Sequence, residues 1–255
     1  MRHHFTFPCE GAKLVGTIDE APGTSGLLIV TGGSEIRAGA WSGQAMLATR
    51  LSAAGHPVFR FDRRGIGDSE GVNTGFRGAT PDITAAIRAF RQAAPQITRV
   101  VAFGNCDAAA ALMLMSGEGV DELVLANPWT IQENEEGIST DSVRAHYRQR
   151  LRDPAAMRRL VTGRVNLGSL LRSAILALRS RPPATLATEL KSGLARFPGQ
   201  ATILLAGRDR TAHTFLVRWD KADPRLHHCP GASHSFVEPE ARDWLAERLV
   251  EALRR

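Results

Sequence analysis

The chain has 255 residues, enough to bury most of its apolar surface in one core, so a single-domain core is the starting expectation. Its 43% hydrophobic and 23% charged composition excludes disordered and fibrous classes. The net charge of +6 is carried almost wholly by arginine, since the only lysines are Lys13, Lys191 and Lys221. That leaves an anionic partner open beside a plain compositional bias.

Met1 to Phe7 lacks the basic stretch and apolar run of a secretory signal, and no apolar segment is long enough to span a bilayer. A cytoplasmic location is the expectation. His3 to Pro8 and Lys13 to Ile18, separated by Cys9-Glu10-Gly11-Ala12, read as an antiparallel hairpin at a sheet edge. Leu27 to Thr31 is a buried strand ending in Gly32-Gly33, and Trp41 to Ala54 carries helical periodicity closed by Gly55. Val58 to Phe61 is the next strand. Pro81 to Ala93 is a helix opened by Thr80 or Asp82.

Arg99 to Phe103 is a short apolar strand expected near the sheet centre, and it runs directly into Gly104-Asn105-Cys106. Leu123 to Ala126 is a strand stopped by Asn127-Pro128, and the strand pattern resumes only at Ala201 to Ala206. Residues 129–198 between them are helical and arginine-rich, and are expected to form a cap inserted between core segments 1–128 and 199–255. Leu226 to Cys229 is the last strand and Pro239 to Leu253 a closing amphipathic helix. Strands alternating with helices specify an α/β fold, a mostly parallel sheet covered on both faces.

The strongest chemical signal is Val100-Val101-Ala102-Phe103-Gly104-Asn105-Cys106-Asp107-Ala108-Ala109. A buried strand meets a helix there through one compact turn, the form of a nucleophile elbow. Gly104, Ala108 and Ala109 are small enough for the backbones to approach. A thiol at a helix N-terminus is favoured as thiolate, because unpaired N–H groups and aligned peptide dipoles stabilise negative charge. The Asp107 amide, with that of Gly33 or Ser34, is expected to form the oxyanion hole. Cys9 and Cys229 lack such a setting and read as packed thiols. The three cysteines form no metal-ligand pair, and neither a metal nor an organic cofactor is implied.

Gly231-Ala232-Ser233-His234-Ser235-Phe236 follows the last strand, and His234 is the candidate base, ahead of His227 and His228 within the strand. Asp209, in the turn Ala206-Gly207-Arg208-Asp209, is the best candidate for the orienting acid, and its alternative is a helix-capping aspartate. The order Cys106, Asp209, His234 is the nucleophile, acid, base order of α/β hydrolases.

On these residues the chain resembles the α/β-hydrolase superfamily over nearly its whole length. Phe61-Asp62-Arg63-Arg64-Gly65-Ile66-Gly67-Asp68-Ser69-Glu70-Gly71 is similar to that superfamily's Asp-x-Arg-Gly-x-Gly-x-Ser-x-Gly loop, whose role is mainly structural. Gly104-Asn105-Cys106-Asp107-Ala108, with Thr31-Gly32-Gly33 and Gly207-Arg208-Asp209, is similar to the exosortase A system-associated hydrolase 1 family. That resemblance implies a bacterial hydrolase associated with exopolysaccharide and protein-sorting systems. It departs from the wider superfamily in having cysteine for the usual serine and Thr31 for the histidine that often opens the oxyanion loop.

The expected chemistry is attack of Cys106 on an ester or thioester, with the acyl group passed to water or to another acceptor. The substrate is a small-molecule or carrier-bound acyl donor. Arg144, Arg148, Arg150, Arg152, Arg158, Arg159 and Arg164 either attract an anionic one or form a solvated face. A non-catalytic binding module would not require the whole triad. Nucleic-acid binding is disfavoured by the 6% aromatic content and the absence of a binding motif. Oligomeric state is not legible.

Overall fold

The computed structural model describes residues 1–131 and 185–255. Their elements, in chain order, are β1 (Arg2–Cys9), β2 (Ala12–Asp19), β3 (Ser25–Val30), α1 (Gly43–Ala53), β4 (Val58–Phe61), α2 (Thr80–Ala93), β5 (Arg99–Asn105), α3 (Asp107–Leu114) and β6 (Glu122–Ala126). They continue with α4 (Thr185–Arg196), β7 (Gln200–Ala206), α5 (Arg210–Arg218), β8 (Leu226–Cys229) and α6 (Pro239–Arg254). The eight strands form one sheet in the order β1-β2-β4-β3-β5-β6-β7-β8.

The β1–β2 hairpin is antiparallel and lies at one edge, and β2 pairs antiparallel with β4; every later pairing is parallel. Its turn places Glu10 and Gly11 both at positive φ, the twist that a two-residue hairpin needs. Parallel strands buried on both faces split their side chains by parity. Leu28, Val30, Val100 and Ala102 enter the core under α2, α3, α4 and α5, whereas Leu27, Ile29, Val101 and Phe103 enter the core under α1 and α6. Because β5 lies in the interior of the sheet with layers on both sides, the turn at its C-terminal end is held from below and from both flanks.

Two expectations are corrected. Helix α2 is opened neither by a Thr80 nor by an Asp82 side-chain cap: the N-cap is Ala79, with no side-chain hydrogen bond. Asp82 instead turns into the interior, where it pairs with Arg64 Nε at 2.5 Å and accepts the Arg64 amide at 3.0 Å. An ionised carboxylate with a guanidinium in reach gains more from a charge-assisted pair than from a neutral amide. The helix expected from Trp41 begins at Gly43, because Trp41 and Ser42 both adopt positive φ.

Of the stretch expected to form a cap, residues 132–184, including the seven arginines named above, lie outside the described residues. Helix α4, at the stretch's C-terminal end, packs on α3 and buries Leu186, Leu190 and Leu194 in the core. It is a helix of the crossover from β6 to β7. Among the described residues, no helix is long and apolar enough to cross a membrane.

Candidate active site

The turn from β5 into α3 is built from small residues because it has no room for larger ones. A Cβ on Gly104 would lie 2.8 Å from Ala108 C and Ala109 N, below any contact a real side chain makes, so the helix can cross the strand only over a glycine. Ala108 and Ala109 are fully buried at that crossing. Cys106 itself sits at φ 62°, ψ −123°, a conformation costly for a side-chain-bearing residue. The position is held by hydrogen bonds from the Cys106 amide to the Ala126 carbonyl (2.9 Å) and from the Trp129 and Ala110 amides to the Cys106 carbonyl (3.1 and 3.2 Å). The thiol is therefore fixed as the N-cap of α3, half-buried, beside the first free amides of the helix.

Asp209 and His234 reach this point from the C-terminal ends of β7 and β8. The loops after these strands continue the sheet's pairing, with Gly207 N donating to Cys229 O at 2.8 Å and Arg208 N to Ala232 O at 2.9 Å. Gly207 must be glycine, since a Cβ there would meet the Pro230 backbone at 2.5 Å. His234 Nδ1 lies 2.9 Å from Asp209 Oδ2, and the imidazole is close enough to Cys106 for the thiol to raise its pKa. The structure thus brings Cys106, Asp209 and His234 together.

Asp209 makes contacts of both kinds expected for it from the sequence. Besides holding the imidazole, its carboxylate caps α5 by accepting the amides of Thr211 and Ala212, each at 3.1 Å. Burial pushes its carboxyl up, but the hydrogen bond and charge of His234 and the two amides outweigh burial and hold it below the usual carboxylate range. On His234 the hydrogen bond to Asp209, then that to Cys106, overcome burial and push the imidazole up to about 10. The ring therefore carries its proton at neutral pH. By linkage, a group raised on folding from 6.5 to about 10 contributes stability that is complete below pH 6.5 and lost as pH rises through about 10. The melting temperature should accordingly fall more steeply between pH 7 and 10.5 in this protein than in a His234→Gln variant; parallel curves would contradict the assignment.

The amides expected to receive an oxyanion are less simply arranged. The Asp107 N–H opens α3 and meets no acceptor among the described residues. Gly33 N–H, by contrast, donates to Asp107 Oδ1 at 2.6 Å, so one of the two alternatives for the second donor is already engaged by a carboxylate. The other, Ser34, is exposed and its N–H meets no acceptor among the described residues. Gly32 permits the arrangement, because a Cβ there would lie 2.5 Å from that same carboxylate oxygen.

The Asp62–Gly71 loop is structural, with one reach toward the site. Asp62 is fully buried, accepts the Arg37 and Asp68 amides at 2.5 and 3.1 Å and pairs with the Arg37 guanidinium. Gly67 is needed where a Cβ would come within 2.3 Å of Asp62 Oδ2. Arg63, 2% exposed, donates to the Gly33 carbonyl at 2.6 Å and so braces the turn that carries Gly33 and Ser34.

Sequence reasoning missed the groups that tie the base loop to the elbow. Asn105 and Asn127 both donate to the His234 carbonyl, at 3.1 and 3.2 Å. Asn127 also donates to Asn105 Oδ1 at 3.0 Å and accepts the Ala206 amide at 2.8 Å. It is fully buried and left-handed at φ 43°, a conformation asparagine tolerates. The available signal was an amide side chain directly after a buried strand, which in the sequence reads only as a strand stop. Glu35, whose carboxyl is pushed up mainly by burial and which lies close enough to feel the charges of His234 and Asp107, was also missed.

Cys9 is buried and donates to Asp82 at 3.4 Å; burial, then Asp82, push its thiol up to about 11. Burial also raises the Cys229 thiol. His227 is part of β8, and its pKa is lowered mainly by burial. No group of three or more His, Cys, Asp or Glu side chains among the described residues is placed to hold a metal.

The model of the alpha/beta hydrolase family matches residues 26–248, more than half of the chain. The chain belongs to the α/β-hydrolase family. Its fold is shared with the Pyrococcus furiosus esterase Pf2001, at 15% identity and a TM-score of 0.66 over 100% of this chain and 91% of that one. XC6422 from Xanthomonas campestris, an α/β serine hydrolase without a lid, is similar at 16% identity and a TM-score of 0.59 over 100% and 94%. A thioesterase domain from the curacin biosynthetic pathway matches at 13% identity and a TM-score of 0.57 over 98% and 99%. At such identities these likenesses concern the fold alone. No curated protein matches the chain.

Proposed function

We propose that the protein is a cysteine hydrolase or acyltransferase acting on esters or thioesters, with Cys106 as nucleophile, His234 as proton carrier and Asp209 as its orienting acid. The observation that carries this reading is an imidazole held by a buried carboxylate at 2.9 Å and close enough to the thiol at a helix N-terminus for Cys106 to raise its pKa. A purely structural histidine has no need of both partners.

The sulfur attacks the acyl carbon as thiolate, forming a C–S bond while the carbonyl electrons move to oxygen. That oxyanion falls to the Asp107 amide and to Ser34 or, once the Asp107 side chain turns away, Gly33. Its collapse breaks the bond to the alcohol or thiol, which leaves with the proton of His234, and the acyl group remains on sulfur as a thioester. The neutral imidazole then takes a proton from water or another acceptor as it attacks, which releases the product and restores the starting pair. Asp209 stays ionised throughout and holds the Nδ1 proton.

A thioester intermediate retains enough acyl-transfer potential for either acceptor, so hydrolysis and transfer use the same site. The likeness of the elbow, the Thr31-Gly32-Gly33 turn and the acid turn to the exosortase-associated hydrolases supports a bacterial role beside exopolysaccharide systems. Intact-mass measurement after brief exposure to a panel of acyl esters and thioesters is the direct test. An acyl mass on Cys106 that decays with turnover is expected; turnover with the adduct on another residue would overturn the reading.

A further inference from the structure

A cavity of about 400 Å³ opens between the N-terminal halves of α1 and α6, within the size range of small-molecule sites. Neither Cys106, Asp209 nor His234 is among the described residues that line it; Asn105 and Ser235, chain neighbours of Cys106 and His234, are, as is Glu35. Its wall is apolar where Leu47, Phe103, Phe236 and Leu245 meet, and two large apolar side chains at its margin, Trp41 and Met46, are 41% and 51% exposed. Surface of that kind beside a hollow is unfavourable in water unless something covers it.

The backbone there is also held in a costly form. Trp41 and Ser42 are consecutive left-handed residues without the freedom of glycine. Their conformation lays the indole across Gly43, where a Cβ would meet the ring at 2.6 Å. A relaxed helix start would not hold the ring in that place.

The charges of the lining are unequally satisfied. Arg50 is paired with Asp243, and the Glu35 carboxylate is hydrogen-bonded by Ala40 and Gln44. Arg242 lies over the Trp41 ring at 5.4 Å and has no carboxylate partner among the described residues. A guanidinium stacked on an aromatic face keeps its planar fork of donors free for a carboxylate.

We infer that this cavity binds an amphipathic carboxylate: an apolar body against Trp41, Leu47, Phe103 and Phe236, with its acidic head on Arg242. The inference is independent of the proposed reaction. Isothermal titration calorimetry on the full chain with decanoate, decanol and decyltrimethylammonium, all kept below micelle formation, tests it. Decanoate should bind one to one and at least about tenfold tighter than decanol, a gap of about 1.4 kcal/mol, with no binding of the cation. Arg242→Glu, a partly exposed change that leaves the core intact, should remove that preference for the acid and leave decanol unaffected. Leu47→Trp, which fills the hollow, should abolish binding of both, with circular dichroism confirming the fold. Equal affinity for acid and alcohol, unchanged decanoate binding in Arg242→Glu, or no heat with decanoate at millimolar concentration would each overturn the proposal.

Discussion

Replacing Cys106 by alanine is expected to lower kcat by about a hundred-thousandfold or more, because the nucleophile of a triad works as a unit with its base and little remains once it is gone. The change is mild for the fold. The strained φ of 62° persists with either side chain, and the three backbone hydrogen bonds that hold the elbow do not involve the sulfur. Circular dichroism and melting temperature should therefore match the parent while the acyl adduct vanishes. Alanine at Cys9 or Cys229, where burial keeps the thiol protonated, should leave kcat within about twofold. A Cys106→Ala protein that turned over as fast as the parent would remove the assignment altogether.

The second large effect is expected at Asp209, where two substitutions separate two functions of one carboxylate. Asparagine is as good a helix cap as aspartate, so Asp209→Asn, with its one side-chain oxygen, still accepts one of the Thr211 and Ala212 amides and keeps most of the stability of α5. It loses the charge that holds the imidazolium, and kcat should fall roughly a thousandfold or more. The imidazole, no longer pushed up by Asp209, should then titrate nearer its ordinary value, which NMR of the His234 ring can follow. Asp209→Ala loses the cap as well and should cost about 1 kcal/mol of stability in addition. Equal activity in the asparagine variant and the parent would mean that the carboxylate serves the helix alone.

The sheet was legible because fully buried parallel strands leave continuous apolar runs, and runs such as Leu27 to Val30 and Val100 to Phe103 stand between helical segments. The elbow was legible because its steric requirement is local: a glycine two residues before the thiol and small residues after it. Asp209 and His234 were found by their place after successive strands, a feature of chain order. What escaped depends on which distant partner a polar group chooses. Asp82 reads as a cap until Arg64 is seen beside it, Asn127 reads as a strand stop until the His234 carbonyl is seen above it, and Asp107 gives no hint that its side chain will bond Gly33. The left-handed turn at Trp41 is hidden for the same reason, since local preference would continue the helix through it.

Asp209 and His234 hang from neighbouring strands at the far edge of the sheet, laced together by the Gly207 and Arg208 amides, whereas Cys106 stands on an interior strand. Only Asn105 and Asn127 rivet the base loop's backbone to the elbow among the contacts described above. In an opening of that edge, carboxylate and imidazole are expected to move as one piece, since their loops are bonded to each other. What such an opening would cost is the ring's approach to Cys106, which the two side-chain amides hold closed.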